Sequence, residues 1–415
     1  MRLPRALAET LHRLFDGKIP LAMGVALSGG GDSVALTVAL AEWCKARRNI
    51  LFAATVNHGL RPEAAEEAAY CSQLCAELDI AHTVLHWTDR PTSGNLQDTA
   101  RQARRRLLTD WARENELPAI ALGHTQDDQA ETVLMRLARG SGVDGLAAMS
   151  EDRHEDGVRW IRPLLNHSRQ SLRDYLTDEG VRWHDDPSND DTRFDRIKAR
   201  QALVHLEKLG LTTETLARTA EHMAQARDAL EIATLDLARR AMVLDAGDLR
   251  IDRAALVAAP AEIRFRLMAH GLSWVSSSPY RPRFRALISV IGALERGRTQ
   301  TLHGCLVTAS KTEFRIMREY SAVELLSVPA TEGVWDQRWS LDGPATASHR
   351  IAVLGEAGLR QLEEPGDLPR ASRIALPAIW DGDNLVAAPI PDQGETWRLQ
   401  LRQGPDHPFT SILSH

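Results

Sequence analysis

A glycine-rich loop with one acid, Ser28–Ser33 (SGGGDS), separates two apolar stretches near the N-terminus. Backbone N–H groups that open a helix form an anion-binding cradle, because the unpaired donors and the positive end of the helix dipole point at the same place. A tight turn needs one glycine, so the three glycines Gly29, Gly30 and Gly31 favour a loop that closes on phosphate. Since Asp32 would repel phosphate, we predict that it holds a cation. Mg²⁺ fits, because it takes one or two carboxylates together with phosphate oxygens and water.

A second polar cluster lies in the segment Gly123–Thr132 (GHTQDDQAET). If a helix begins there, the spacings of four and three residues place His124, Asp128 and Glu131 on one face, which indicates a single site. Asp127 falls off that face, and we expect it to cap the helix N-terminus. An ordinary solvated helix start remains an alternative, because acids often occupy first helical turns.

Alternating strands and helices must position these two motifs. From Leu21 to about Gly140, short apolar runs alternate with helical stretches, which predicts an α/β fold with an open parallel sheet and helices on both faces. Both motifs follow strands of this sheet, at the carboxyl edge where open α/β sheets bind ligands. The predicted strands are Met23–Leu27, Leu51–Val56, His82–Trp87 and Ala119–Gly123, and the predicted helices are Val34–Arg47, Glu63–Leu78, Asn95–Asn115 and Asp127–Arg139.

The remainder of the chain predicts two smaller domains. Apolar residues recur every seven positions from Leu216 to Leu237, which predicts a long amphipathic helix within a small helical domain. From about Gly333 the sequence is richer in Pro, Gly and β-formers, which indicates a small mixed or β domain. We therefore predict three domains, at residues 1–205, 206–332 and 333–415.

Composition excludes several classes of protein. The chain has 415 residues, 43% hydrophobic and 26% charged, as in globular proteins, and its net charge of -6 argues against a basic protein that coats nucleic acid. Four cysteines are too few and too scattered for a disulfide framework, so we expect reduced, packed thiols. The first 18 residues form an amphipathic pattern without the apolar core of a signal peptide, which predicts a cytoplasmic protein with no membrane partner.

Several strings, in order, resemble one enzyme family. The loop SGGGDS resembles the SGGxDS signature of the PP-loop, or N-type, ATP pyrophosphatases, which have an adenine nucleotide α-hydrolase-like fold. Five further strings follow it in order: VNHGLR (Val56–Arg61), ARQARRRLL (Ala100–Leu108), GHTQDDQAETVLMRLARGSG (Gly123–Gly142), RPLL (Arg162–Leu165) and DPSNDD (Asp186–Asp191). Together these strings resemble the bacterial tRNA(Ile)-lysidine synthetases, and the tail segment Leu368–Ile390 is similar to the accessory C-terminal domain of the longer members.

The resemblance implies an ATP-dependent ligase that forms a C–N bond. Members adenylate the C2 carbonyl oxygen of the wobble cytidine, position 34, in the CAU anticodon of the minor isoleucine tRNA. Free L-lysine then displaces AMP, giving lysidine, AMP and pyrophosphate, and codon reading changes from AUG to AUA. The resemblance thus implies ATP, L-lysine and tRNA(Ile) as substrates, Mg²⁺ as cofactor and the third domain as a tRNA-recognition domain. A homodimer is compatible with the sequence, which does not decide the oligomeric state.

The resemblance also assigns residues. Arg104 would stabilise charge on the α-phosphate, and Asp128 and Glu131 would bind lysine. One departure stands at Ile197, where the family carries asparagine, so only Arg200 of that segment is assigned as a substrate or tRNA contact. The implied catalytic residues are Asp32, Arg104, Asp128 and Glu131, and Asp32 is the metal ligand. The nucleotide-binding residues are Ser28, Gly29, Gly30, Gly31, Asp32, Ser33, His58 and His124. His58 and Arg61 follow the second strand at the ligand edge, where we expect contact with nucleotide or base; a loop histidine without a role is an equal alternative for His58. From the clustering of arginines we expect Arg281, Arg283 and Arg285 to contact tRNA phosphates, and a solubilising surface is the alternative.

Three other functions compete with this interpretation. A PP-loop tRNA thiolase would need a nucleophilic or persulfide cysteine near the catalytic edge, and Cys44, Cys71 and Cys75 fall within predicted helices. An ammonia-dependent synthetase would need a glutaminase domain or partner. A non-catalytic nucleotide- or RNA-binding module would not need acids placed for a cationic amine.

Overall fold

The structure, a computed structural model, describes residues 4–15, 20–59, 64–89, 96–184, 195–362, 366–391 and 396–413. The chain forms two compact units, Met1–Arg227 and Asp228–Ser414, and the boundary between them falls within one long helix, Thr213–Ala241. The three-domain division of the sequence stays a prediction.

The first unit is built on a six-stranded sheet. The four predicted strands are confirmed to within one or two residues, whereas a hairpin at the far edge was not predicted, because its short strands carry charged residues instead of an apolar run. The strands are β1 Ala22–Ala26, β2 Ile50–Asn57, β3 Ala81–His86, β4 Ala119–Leu122, β5 Asp152–Glu155 and β6 Val158–Ile161. Their order is β3-β2-β1-β4-β6-β5, and all neighbouring pairs are parallel except β5 with β6.

Helices cover both faces of this sheet. Alternate residues of β1 point to opposite sides, so Val25 belongs to one core cluster and Ala26 to the other. The predicted helices between the strands are confirmed, and the N-terminal helix is amphipathic as expected, with Leu7 and Leu11 buried against Trp43 of the same cluster. The helices are α1 Arg5–Phe15, α2 Gly31–Arg47, α3 Ala64–Glu77, α4 Leu96–Glu114, α5 Gln126–Ala138, α6 Val143–Leu146, α7 Arg169–Asp178, α8 Asp195–Leu206 and α9 Thr213–Ala241, with a 3-10 turn at Glu207–Leu209.

The strand order places the two sequence motifs side by side. The chain moves outward from β1 to β2 and β3 on one side, and β4 then pairs with the other side of β1, in the register Gly24 with Ile120. This reversal is the topological switch point at which open α/β sheets form a ligand crevice. The loops that follow β1 and β4 therefore leave the same edge next to each other.

The second unit combines helices with three antiparallel sheets. The predicted long helix is confirmed as α9, but the segment after it, predicted as a small helical domain, also contains a five-stranded sheet. Its strands of three to six residues are too short and too mixed in polarity to predict. The helices are α10 Arg253–Ala258, α11 Ala261–Ser276, α12 Phe284–Glu295, α13 Gly355–Leu359, α14 Arg370–Ile374 and α15 His407–Thr410, with 3-10 turns at Tyr320–Ala322, Ala330–Glu332 and Ser411–Leu413.

The predicted mixed or β character of the tail is confirmed. Two sheets, ordered β12-β15-β16-β17 and β13-β14-β18, enclose a separate apolar core that includes Trp335 and Trp339, while the five-stranded sheet is ordered β7-β8-β11-β10-β9. The strands are β7 Met242–Asp245, β8 Asp248–Asp252, β9 Gln300–Leu302, β10 Cys305–Ala309, β11 Glu313–Arg318, β12 Ser327–Pro329, β13 Val334–Trp335, β14 Trp339–Asp342, β15 His349–Val353, β16 Pro377–Asp381, β17 Asn384–Ala387 and β18 Arg398–Leu401.

The four cysteines are free and buried, as the sequence predicts. Burial raises the pKa of Cys44, Cys75 and Cys305 to about 12, and it also raises the pKa of Cys71. All four thiols are therefore protonated at neutral pH. Across the ranges that the structure describes, none of the helices has the length and apolarity of a membrane span.

Candidate active site

The loop after β1, residues Ser28–Ser33, forms a helix start that is open to a ligand; we call it the phosphate loop. Gly30 is the N-cap of α2, and no side chain caps this N-terminus among the described residues. Gly29 has φ +82°, a left-handed conformation that favours glycine, and its carbonyl oxygen accepts a hydrogen bond from the backbone N–H of His184 at 3.0 Å. The loop is thus held in place while its helix N–H groups remain free to bind an anion.

The two serine hydroxyls of the phosphate loop differ in what they contact. The Oγ of Ser33 accepts the backbone N–H of Ser28 at 3.1 Å, lies 3.0 Å from the Ser28 Oγ and donates to the Gly30 carbonyl oxygen at 2.9 Å. Ser33 is buried, whereas Ser28 is exposed. In this arrangement the Ser33 hydroxyl fixes the shape of the loop, and Ser28 presents its hydroxyl to the surroundings.

The loop after β4 packs closely against the phosphate loop at Gly123. A Cβ placed on Gly123 would lie 3.0 Å from both the Cα and the backbone N of Ser33. Those atoms are backbone and cannot turn away, so a side chain at this position would have to displace the Ser33 backbone. Sequence reasoning did not identify Gly123 as a site residue, although a glycine at the end of a strand on the ligand edge was a usable signal.

A cavity of about 210 Å³ opens beside the phosphate loop. Its apolar wall suits a nucleobase, and the loop lies at its rim, so the two together match the two ends of a nucleotide. Arg104 of α4 and His58, after β2, line the same cavity, and the His58 ring stands edge-on to Trp87 with centroids 5.7 Å apart. The structure therefore brings these two predicted residues to the phosphate loop. The lining residues are Ala26, Leu27, Ser28, Gly30, Ala54, Thr55, Val56, His58, Ala64, Glu67, Arg104 and His184.

Acids and arginines from four helices meet next to the phosphate loop; we call them the acid–arginine cluster. Its members are Asp32 of α2, Asp127, Asp128 and Glu131 of α5, Arg169 of α7, and Arg196 and Arg200 of α8.

Glu131 is the most enclosed acid of this cluster. Its side chain is 1% exposed, and it accepts hydrogen bonds from the Nε of Arg196 at 3.0 Å and the Nε of Arg200 at 2.8 Å. The Nη1 of Arg169 lies 3.7 Å from the same carboxylate. Arg196 and Arg200 of α8 thus both contact Glu131, while Ile197, at the family's asparagine position, is buried in the same helix.

Asp128 caps its own helix. Thr125 is the N-cap of α5, and its backbone N–H donates to the Asp128 Oδ2 at 2.8 Å in a capping box. The other oxygen, Oδ1, accepts a hydrogen bond from the Nη2 of Arg169 at 3.1 Å and lies 3.5 Å from the Nη2 of Arg196. Although burial opposes its charge, Arg196, Arg169 and the Thr125 N–H hold the pKa of Asp128 below the usual value.

Asp127 does not cap α5, which corrects the sequence prediction. Thr125 holds that position, and Asp127 accepts the backbone N–H of Arg169 at 2.7 Å, at the first residue of α7. Asp127 therefore binds a helix N-terminus as expected of its residue type, but that of the next helix in the cluster.

Arg169 is the functional candidate that sequence reasoning missed. Its Nε donates to the Asp32 Oδ2 at 3.2 Å and its Nη2 to Asp128, so one guanidinium joins the phosphate loop to α5. Burial lowers the pKa of Arg169, but the acids around it raise the pKa above its ordinary value overall, so the group is always charged. A lone arginine after a serine carries no local sequence signal for this role.

Asp32 fits the predicted magnesium ligand. Burial raises the pKa of Asp32, an effect that Arg169 opposes, so a cation would stabilise the ionised form. Within the described part of the chain no group of three His, Cys, Asp or Glu side chains is arranged to hold a metal. The donors present thus suit a Mg²⁺ ion that takes one carboxylate from the protein and its other ligands from phosphate and water.

His124 does not line the cavity, although it is close enough to Arg104 and Asp128 to interact with their charges. Its Nδ1 accepts a hydrogen bond from the Nε of Arg162 at 3.2 Å, and burial together with Arg162 lowers the pKa of His124 to about 3. The imidazole is therefore neutral at physiological pH, with its proton on Nε2. It is absent from the cavity lining, although its backbone follows β4 at the ligand edge.

The remaining predicted residues lie elsewhere. Arg281, Arg283 and Arg285 are exposed before and within the first turn of α12 in the second unit. Arg61 and the string Asp186–Asp191 fall outside the described residues.

The fold and the site define a PP-loop ATP-binding protein, and residues 4–207 match the family described as PP-loop domain. The chain is 44% identical to the tRNA(Ile)-lysidine synthase of Ruegeria pomeroyi over 99% of this chain and 98% of the relative. It is 35% identical to that of Wolbachia pipientis wMel over 77% of this chain and 76% of the relative. The chain belongs to the tRNA(Ile)-lysidine synthase family.

Solved structures with a similar fold include the U34-tRNA thiolase NcsA from Methanococcus maripaludis with its 4Fe-4S cluster. The likeness has a TM-score of 0.46 at 21% identity and covers 53% of this chain and 78% of that chain. A likeness of this size does not bear on the reaction.

Proposed function

We propose that this protein is an ATP-dependent ligase that converts the wobble cytidine of the CAU anticodon in tRNA(Ile) to lysidine. ATP adenylates the C2 carbonyl oxygen, and the amine of L-lysine then displaces AMP, forming the C–N bond. The observation that supports the proposal is the acid–arginine cluster beside the phosphate loop, whose carboxylates would bind a charged amine next to the loop that would hold the departing pyrophosphate. Family membership supports the same conclusion.

Different residues of the first unit would bind the pyrophosphate, the metal ion and the α-phosphate. The N–H groups at the start of α2 would hold the departing pyrophosphate, with the Ser28 hydroxyl beside them. Asp32 would hold Mg²⁺, which when bound neutralises charge on the phosphates. Arg104, which lines the same cavity, would stabilise charge that develops on the α-phosphate.

The acids of the cluster support lysine as the nucleophile. The cluster contains four acids, Asp32, Asp127, Asp128 and Glu131, beside the three arginines of α7 and α8. Asp32 is assigned to Mg²⁺ and Asp127 binds the N-terminus of α7, so Asp128 and Glu131 are the acids left to bind an amine. Arginines contact both of them, so lysine would bind at carboxylates that are already neutralised in part.

The direct test is AMP formation from ATP with unmodified tRNA(Ile) and L-lysine, each omitted in turn. We expect AMP release to require both the tRNA and lysine. Asp32→Ala should abolish it, because the phosphates lose their metal-holding acid, whereas Asp110→Ala, an exposed acid on α4, should leave it unchanged. Full activity of Asp32→Ala would exclude the assigned role of Asp32, and release that depends on a sulfur donor or on glutamine would replace the proposed reaction.

A tRNA thiolase is less compatible with this chain. Sulfur transfer requires a reactive thiolate, and burial keeps all four thiols protonated and enclosed. Since its substrates, ATP, lysine and tRNA, are found in the cytoplasm, we expect the protein to act there.

A further inference from the structure

We propose that Arg169 couples metal binding at Asp32 to lysine binding at Asp128 and Glu131. This inference rests on the proposed function and assigns to Arg169 a positioning role that neither the sequence motifs nor the family resemblance indicates. One guanidinium contacts the carboxylates of both sites, at 3.2 Å to Asp32 and 3.1 Å to Asp128.

The first argument is geometric. Arg169 starts α7, where Ser168 is the N-cap, and its backbone N–H is bound by Asp127 at 2.7 Å. The Ser168 cap and the hydrogen bond to Asp127 therefore fix the backbone of Arg169. The side chain is 19% exposed and reaches across to α2 and α5, so the guanidinium is the part of Arg169 that can exchange partners.

The second argument concerns charge. A magnesium ion on the Asp32 carboxylate would compete with Arg169 for the same oxygens and would repel its guanidinium, because two cations would share one acid. Arg169 must then leave Asp32 and keep its contacts with Asp128 and Glu131. Once released from Asp32, the guanidinium is shared only with an acid pair that Arg196 already neutralises in part, so metal binding changes the potential at the lysine site.

The third argument concerns the type of side chain. A guanidinium presents a planar fork of donors that can serve two carboxylates at once, whereas an ammonium is a single point of charge. Arg169→Lys should therefore keep a positive charge in the cluster but lose the simultaneous contact. Arg169→Gln removes the charge while leaving Arg196 and Arg200 on Glu131.

The experiment measures binding, not turnover. The full-length enzyme is titrated with α,β-methylene-ATP, which it cannot cleave, at a series of Mg²⁺ concentrations in a calorimeter. Because Mg²⁺ no longer has to displace a guanidinium, we expect Arg169→Gln to need at least about fivefold less Mg²⁺ for half-maximal binding. Arg106→Gln, which removes an exposed arginine paired with Asp89, is the matched control and should not change the Mg²⁺ requirement.

A second arm measures labelled lysine by equilibrium dialysis with and without Mg²⁺ and the analogue. In the wild type the two lysine dissociation constants should differ, and in Arg169→Gln and Arg169→Lys their ratio should approach one. An unchanged or higher Mg²⁺ requirement in a folded Arg169→Gln enzyme, as judged by circular dichroism, would overturn the coupling role. A ratio of the two lysine dissociation constants in Arg169→Gln equal to that of the wild type would overturn it as well. If wild-type enzyme binds no lysine in either condition, the proposed function fails instead, while the Mg²⁺ arm still decides whether Arg169 competes for Asp32.

Discussion

Glu131 and Asp128 were predicted together as the lysine site, yet their surroundings differ. Glu131 is 1% exposed and anchors α8 through Arg196 and Arg200, whereas Asp128 is 11% exposed and faces Arg169. A carboxylate this enclosed is sensitive to removal, because its arginine partners are left without a counter-charge. Of the two acids, Asp128 is therefore the one better placed to contact an incoming amine, and Glu131 the one that orients the arginines.

We expect Glu131→Ala to lower the free energy of unfolding by about 2–3 kcal/mol, less than the ~3–5 kcal/mol of a fully buried pair. The smaller value follows because the arginine side chains are 42% and 35% exposed. The variant should also need more lysine for half-maximal AMP release. Urea unfolding and a lysine titration check the two effects.

Asp195→Ala is the matched control for this prediction. Asp195 also links α8 to the end of α5, through Arg139 at 3.1 Å, but both side chains are more than half exposed, so its loss should cost less than about 1 kcal/mol. Equal destabilisation by the two variants would show that enclosure does not strengthen the Glu131 contacts. An unchanged lysine requirement in Glu131→Ala would remove Glu131 from the lysine site.

The phosphate loop depends on how closely two elements approach. The end of β4 and the start of α2 meet at Gly123, where the backbone of Ser33 occupies the place a side chain would need. Strand β1 fixes both elements, since it pairs with β4 and runs directly into the loop. The cradle is therefore a product of strand order as well as of glycine content.

Gly123→Ala should displace the Ser33 backbone and so weaken binding of α,β-methylene-ATP by at least about tenfold, the equivalent of ~1.4 kcal/mol. Gly142→Ala is the control, because a Cβ there meets nothing within 4 Å and its φ is negative at -80°. Calorimetric titration of both variants with α,β-methylene-ATP checks this prediction, and their melting temperatures show whether each variant is folded. Wild-type affinity in Gly123→Ala would mean that the loop tolerates a wider separation from β4.

Helices and strands with a strong local pattern of apolar residues could be predicted from the sequence, whereas those without such a pattern could not. The four predicted strands are short, largely apolar runs, and α9 repeats its apolar residues over several turns, so both were found. The hairpin of β5 and β6 and the five-stranded sheet consist of short strands of mixed polarity. Such strands are stabilised by pairing with distant segments, which the local pattern does not reveal.

The whole molecule contains two compact units, and the candidate nucleotide site lies in the first. A tRNA substrate is large enough to need contacts beyond one crevice, and basic side chains supply most of the affinity for a phosphate backbone. The exposed arginines Arg281, Arg283 and Arg285 of the second unit remain our candidates for that contact. A measurement of mass in solution would decide whether the protein forms a homodimer.

Replacing Arg281, Arg283 and Arg285 together by Gln should weaken tRNA binding and reduce the slope of log affinity against log salt by about two, since each lost phosphate contact removes ~0.7–0.9 from the slope. The control replaces three exposed arginines of the first unit by Gln: Arg5, Arg106 and Arg113. It removes the same charge and should leave the slope nearly unchanged. Filter binding from low to physiological salt measures both. A slope equal to that of the wild type would place the tRNA contacts on another surface.

The sequence by itself determined the parallel sheet, the phosphate loop at its edge and the family, because apolar periodicity, glycine spacing and motif order are properties of neighbouring residues. Only the tertiary structure decided which arginines contact Asp32, Asp128 and Glu131. Arg169 lies 137 residues from Asp32 and 41 from Asp128, and Arg196 lies 65 from Glu131. These contacts form because α2, α5, α7 and α8 pack at one edge of the sheet, and no local pattern records a distance that the folded chain alone sets.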